Sequence, residues 1–281
     1  MTDARQRYSA AGRDPTIVRW ALIGATLAIV GLLVVVPVVA VFHKAFEQGP
    51  ATYWRTLAVN ADTRHAILLT LTVAPIAVAV NVVFGVAAAW TIARFRFPGR
   101  ALLTALIDLP FSVSPVVAGL ALVLIFGLQG YLGPWLREHD VKVIFALPGL
   151  VLATTFVTLP FVARELIPLL EALGPEEDLA AVSLGASGWQ LFRRVTLVNL
   201  RWGLLYGVIL SAARATGEFG AVYVVSGHIS GRTDTMPLRV EKLFQEYDTP
   251  GSFALASVLT AFALVSLALK GWLEKRMKSE K

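Results

Sequence analysis

At 281 residues, 56% of them hydrophobic and only 16% charged, the chain is far more apolar than a soluble domain, of which about a quarter is charged. Its net charge of +6 does not indicate nucleic acid, because the basic residues stand in short clusters beside apolar runs, where membrane topology signals are placed. Cysteine is absent and the four histidines (His43, His65, His139, His228) never fall at i, i+4 spacing, so the sequence predicts no disulfide, no catalytic residues and no metal site.

Residues 1–16 read as a cytoplasmic tail, 17–273 as one transmembrane domain and 274–281 as a second cytoplasmic tail. A hydrocarbon core about 30 Å thick needs roughly 20 apolar residues in helix. Six stretches qualify, at 17–42, 66–93, 101–128, 143–163, 202–226 and 252–273. The first is too long for the core of a cleaved signal peptide and reads as a retained span. An open strand edge cannot be satisfied in lipid, so the expected class is an all-α integral membrane protein. Pro37, Pro75, Pro110, Pro115 and Pro148 predict kinks within the spans. Sixteen Lys and Arg residues fall on the side that holds both termini, the 94–100 connection and the 164–201 loop, against eight on the other. The richer side belongs in the cytoplasm.

The loop from Leu170 to Arg201 carries the most information. Gly174-Pro175 is a turn, with Pro175 suited to the first position of a helix. Glu176, Glu177 and Asp178 place negative charge at the positive end of that helix's dipole. Leu179 to Leu184 then give a short helix with little polar cover, which Gly185 ends in a left-handed conformation. Ser187 is positioned to cap a second helix, Gly188 to Leu197. Such an exposed, partly apolar helix either lies on lipid or docks as a knob into a groove of a soluble partner. Beyond the fifth span, residues 227–251 contain an amphipathic stretch, Leu238 to Tyr247, which predicts a short helix on the outer side.

Leu179-Ala180-Ala181, three residues, Gly185, and then Val195-Thr196-Leu197 resemble the EAA loop of permease subunits of bacterial ABC importers. Leu179 stands where that pattern has Glu, and Val198 where it has Pro; Asp178 or Glu177 is expected to supply the missing charge. The segments Asp108 to Leu120 and Ala213 to Gly227 are similar to the sulfate/molybdate permease group. Val198 to Tyr206 and Glu241 to Asp248 are most similar to its CysW-type subunits of sulfate/thiosulfate importers.

The resemblance implies a MetI-like permease fold in a bacterial inner membrane. It also implies a CysT-type permease partner, two copies of an ABC ATPase that carry the ATP and Mg, and a periplasmic sulfate/thiosulfate-binding protein. In this chain it implies a coupling loop at 171–198, with Asp178, Leu179, Ala180, Ala181 and Gly185 meeting the ATPase, and no cofactor of its own. The residues agree with a non-enzymatic subunit: no phosphate loop occurs, and no lysine follows a glycine. A molybdate-type permease is the alternative within the group. An ion-coupled secondary transporter, with Asp108 and Glu218 as proton relays, is the alternative outside it, although no internal repeat is evident.

Three charged residues fall inside spans. Arg214 and Glu218 stand at i, i+4 on one helix face. They read either as a self-compensating pair at a subunit interface or as part of a face near the gate of a pathway, with Gly217 and Gly220 permitting close packing. Asp108 reads as a cap for backbone groups freed by Pro110. Ser112 and Ser114 beside Pro115 either serve the kinked backbone or offer hydroxyls to a passing anion.

Overall fold

The computed structural model describes residues 16–279, with side chains described as far as Arg276. The predicted amino-terminal tail with Arg5, Arg7 and Arg13 lies outside the described residues. Within them every regular element is helical.

Helix α1, Thr16–Phe46, is a rod that passes through a π-helical turn at Gly31–Val35. The turn directly precedes Pro37, and the Val36 N–H bonds back to Gly31 O across the widened ladder, so the missing proline donor is absorbed without a break. Short helix α2 (Pro50–Trp54) follows, then α3 (Ala61–Arg94), which Asn60 caps by accepting the Thr63 N–H at 3.1 Å. Next come α4 (Arg100–Ser112), α5 (Pro115–Phe126), α6 (Gly133–Glu138), α7 (Leu147–Leu173), α8 (Glu176–Ser183) and α9 (Gly188–Thr216). Helices α10 (Gly220–Ser226), α11 (Met236–Gln245) and α12 (Thr249–Ser279) complete the chain.

Helices α3, α7 and α9 form the centre. Gly85 of α3 lies under Val162 of α7, where a β-carbon would come within 2.7 Å of Val162 Cγ1. One turn before it, fully buried Asn81 donates to Thr158 Oγ1 at 2.7 Å, tying the same two helices through a polar contact that lipid cannot replace. Apolar clusters fill either side of this seam: Leu69, Val73, Leu150, Val157, Val222 and Leu238 toward one end, and Val86, Val162, Leu166, Leu170 and Leu200 toward the other. Helix α1 packs on the rest chiefly through Val36–Phe46, laid against α12, and leaves Thr16–Val30 without a buried residue.

The direction of each helix follows from its contacts. Tyr53, just beyond α1, bonds Ser257 near the start of α12, and Met236 at the start of α11 donates its N–H to Thr70 near the start of α3. Thr16, the 94–100 turn, the segment between α7 and α9 and the end of α12 therefore share one end of the bundle, and α2, α6 and α11 the other.

Two predicted spans are not continuous. The stretch 101–128 breaks into α4 and α5, bent by 110°. Pro115 bars helical geometry at Ser114, and Val113 and Ser114 turn extended, with ψ of 132° and 133°. The stretch 202–226 is the end of a helix that already runs from Gly188, stops at Thr216, and resumes as α10 after the break at 217–219. The fourth span, predicted at 143–163, runs Leu147–Leu173, with Pro148 in its first turn rather than its interior. Among the described residues five helices are long and apolar enough to cross a membrane, six if the bent pair counts as one span. The all-α membrane class stands, and the short helix predicted at Leu238 to Tyr247 is present as α11, two residues earlier at either end.

Candidate functional site

The segment between α7 and α9 projects from the bundle as a bent knob. Helix α8 begins one residue later than predicted, with Pro175 just outside it, and its three acidic residues fill the first turn. Gly185 has φ of +85°, a value that favours glycine. The Gly185 N–H donates to Val182 O at 2.9 Å and the Ala186 N–H to Ala181 O at 3.0 Å, so orphan carbonyls of α8 are closed by a Schellman motif. Ser187 and Gln190 then cap the next helix reciprocally: the Ser187 N–H donates to Gln190 Oε1 at 2.9 Å and the Gln190 N–H to Ser187 Oγ at 3.4 Å.

Leu179, Val182 and Leu184 are 62%, 56% and 89% exposed, so the apolar side of α8 faces away from the bundle. A groove of about 420 Å³ runs beside it between Ala181, Leu184, Gly185, Gln190 and Val195. Ala180 is exposed next to Leu179. Asp178 plays a different part from its neighbours: its carboxylate reaches Arg94 Nε at 2.7 Å, and Arg94 also donates to Leu170 O at 3.4 Å. Glu177 accepts from Asn199 of α9. Of the two acids expected to replace the missing Glu, Asp178 is thus turned inward onto α3, and Glu177, still exposed, is tied to α9.

A second constellation forms where the two broken spans meet. A β-carbon on Gly220 would lie 3.0 Å from Pro115 Cβ, and one on Gly119 would lie 2.8 Å from Ala221 O, so α5 and α10 touch at small residues. The close approach falls at Gly119 and Gly220; near Gly217 there is only Ala213 O, at 3.8 Å. Arg214 Nη1 stands 2.6 Å from Glu218 Oε2, although Glu218 lies in the break beyond Thr216 and not on the helix face that the i, i+4 spacing implied. The Glu218 side chain is 1% exposed, and its other oxygen accepts the Ala221 N–H at 2.9 Å, so one buried carboxylate joins the end of α9 to the first turn of α10. Ser112 and Ser114 are exposed at the facing elbow, and Ser114 makes no side-chain capping bond. The four residues singled out from the sequence therefore belong to one junction.

Asp108 does not act as the expected backbone cap. Its carboxylate accepts from Arg164 Nε at 2.6 Å, across from α4 to α7. Arg164 had counted only as a loop charge, because the apolar run stops at Ala163; the helix runs ten residues further. Among the described residues no three His, Asp or Glu side chains gather as a metal-holding group.

Residues 81–279 match the family described as binding-protein-dependent transport system inner membrane component. Over 262 residues the chain is 52% identical to the sulfate transport system permease protein CysW of Escherichia coli strain K12, covering 93% of this chain and 90% of that one. It is 40% identical to the CysT permease protein of the same organism, over 90% of this chain and 91% of that one. A chain of a bacterial alginate ABC transporter, crystallised with an alginate pentasaccharide-bound periplasmic protein, shares the fold with a TM-score of 0.73 at 15% identity, over 91% of this chain and 92% of that one.

Proposed function

The chain belongs to the family of binding-protein-dependent transport system inner membrane components, and from that premise we propose that it is a permease subunit of an ATP-driven sulfate/thiosulfate importer. The observation that carries this reading is the knob at Glu176–Ser183, closed by Gly185 and presenting Leu179, Val182 and Leu184 outward. An apolar helix face held outside the bundle by a Schellman motif on one side and, on the other, by the Asp178–Arg94 ion pair and the Glu177–Asn199 hydrogen bond is built to enter a groove on a soluble partner. The partner is an ABC ATPase, two copies of which bind ATP with Mg and serve a pair of permease subunits. The second permease is a CysT-type subunit, and a periplasmic binding protein delivers the anion.

Three features support this assignment. The end of the bundle that holds the knob also holds Thr16 and the end of α12, and its larger share of Lys and Arg supports a cytoplasmic position. No phosphate loop is present in the chain, so the energy source is supplied by another subunit. Arg214 and Glu218, at the break before α10, and Ser112 and Ser114, at the elbow before α5, are the candidates to line the polar path that an anion needs.

Affinity purification of the tagged chain from membranes in mild detergent tests the reading. A phosphate-loop ATPase and a second six-span subunit are expected to co-purify, and both are expected to be lost when Gly185 and Ala181 are replaced by bulky residues. Recovery of this chain alone, still moving sulfate into vesicles without ATP, would overturn it.

A further inference from the structure

Helix α4 carries Arg100, Thr104, Asp108 and Ser112 at strict four-residue spacing, a polar stripe about 18 Å long on a helix whose other positions are all apolar. Leu102, Leu106 and Leu109 occupy a different face and are exposed, as lipid-facing residues are. The stripe borders a shallow, open hollow lined by α4 itself, at Arg100, Ala101, Thr104, Ala105 and Asp108. Helix α7 supplies an ion partner at two levels. Glu171 meets Arg100 at 2.5 Å near the knob end, and Arg164 meets Asp108 at 2.6 Å two turns further in.

The two members of the inner pair are not equivalent. The Arg164 side chain is 56% exposed and that of Asp108 30%, so the cation is the outward member. Its guanidinium lies 5.1 Å from the Phe111 ring centre, and Phe111 in turn packs edge-on to Phe161, which sets the head at a fixed height. Arg164 is nine residues inside the end of α7, about 13 Å along the axis. Charged head groups are costly in hydrocarbon, so a half-exposed guanidinium beside a polar stripe calls for water or a polar ligand in front of it.

We propose that the α4–α7 face lines the anion pathway, with Arg164 as the residue that contacts the passing oxyanion and Asp108 as its standing counterion. This rests on the transport reading given above. The planar guanidinium matches two oxygens of a tetrahedral dianion, a geometry lysine does not offer. Asp108 shortens the contact: the dianion displaces the carboxylate from Arg164, and the carboxylate returns behind it. The carboxylate tunes this exchange rather than permitting it, because a half-exposed cation still releases the anion without it.

The test uses the whole importer in proteoliposomes, measuring uptake of radiolabelled sulfate together with binding-protein-stimulated ATP hydrolysis. Arg164→Gln is expected to lower uptake roughly tenfold to a hundredfold, the worth of a charged hydrogen bond, while ATP hydrolysis persists. Asp108→Asn breaks the same pair but leaves the cation, so uptake is expected to fall by less than about threefold. The double exchange Asp108→Arg with Arg164→Asp restores a pair but moves the cation, and is expected to stay inactive. If Arg164→Gln does not assemble, Arg164→Lys decides: several-fold weaker uptake with intact hydrolysis supports the proposal, and wild-type uptake overturns it. Equal losses in Arg164→Gln and Asp108→Asn, rescued by the exchange, would make the pair a structural clip and overturn it. A wild-type importer that moves no tetrahedral dianion overturns the transport reading and this inference with it.

Discussion

The carboxylate of Asp178 lies 2.7 Å from Arg94 Nε, and the two side chains are 15% and 16% exposed. This pair joins the first turn of α8 to the last turn of α3, so the knob is anchored through the residue that the family pattern had suggested as its docking charge. Asp178→Ala leaves a partly buried guanidinium unpaired, a loss on the order of 3 kcal/mol. The knob is then expected to loosen without the bundle unfolding. Trypsin cleavage at Arg193 or Arg194 in the detergent-solubilised importer would rise, and transport would fall several-fold. Protection equal to wild type would show that the strut is dispensable.

Gly185 separates backbone need from space. No heavy atom lies within 4 Å of where its β-carbon would stand, yet its φ is +85°. Substitution therefore costs left-handed strain of about 1–2 kcal/mol and no clash inside this chain. Asparagine, which tolerates that conformation, is expected to keep most of the uptake, whereas Gly185→Val is expected to assemble in part and transport poorly. If valine and asparagine behave alike, the left-handed turn is not what the knob requires.

Much of this architecture was legible before any coordinates. The knob's bend, its Ser187 cap and the short helix near Leu238 follow from short-range chemistry, whereas the helix end at Thr216, between Arg214 and Glu218, did not show. What escaped were breaks and long-range partners. Hydropathy does not register the 110° turn at Val113–Ser114, because the residues on either side are equally apolar. Nor does it register that α7 continues past Arg164 and Glu171, since the charges that end an apolar run are the ones later satisfied by α4. Asp108 and Arg164 stand 56 residues apart in sequence, and only packing reveals that they are partners.

The α3–α7 seam gives a test of the fold itself. A β-carbon at Gly85 would meet Val162 Cγ1 at 2.7 Å and Val162 Cβ at 2.8 Å, so even alanine forces the helices apart. Gly85→Leu is expected to destabilise the subunit by about 1–3 kcal/mol or more through overpacking. Gly24→Leu in α1 has open space around it within this chain and is expected to leave stability unchanged. Thermal unfolding of the two variants in detergent, followed by retention of a monodisperse peak, checks the contrast. Equal behaviour would contradict this helix packing.

The Arg214–Glu218 pair predicts an asymmetry of its own. Glu218 is the buried member, at 1% side-chain exposure against 36% for Arg214. Arg214→Gln therefore strands a carboxylate with no route to solvent, a cost of about 3–5 kcal/mol that is expected to appear as lost assembly. Glu218→Gln strands only a partly solvated guanidinium, and the new amide oxygen still accepts the Ala221 N–H that seats α10. That variant is expected to assemble but to move sulfate at least about tenfold more slowly if the charged pair belongs to the gate. The double variant removes both charges and is expected to recover assembly without recovering transport. Unchanged uptake in Glu218→Gln would take the pair out of the pathway and leave it as a structural tie between α9 and α10.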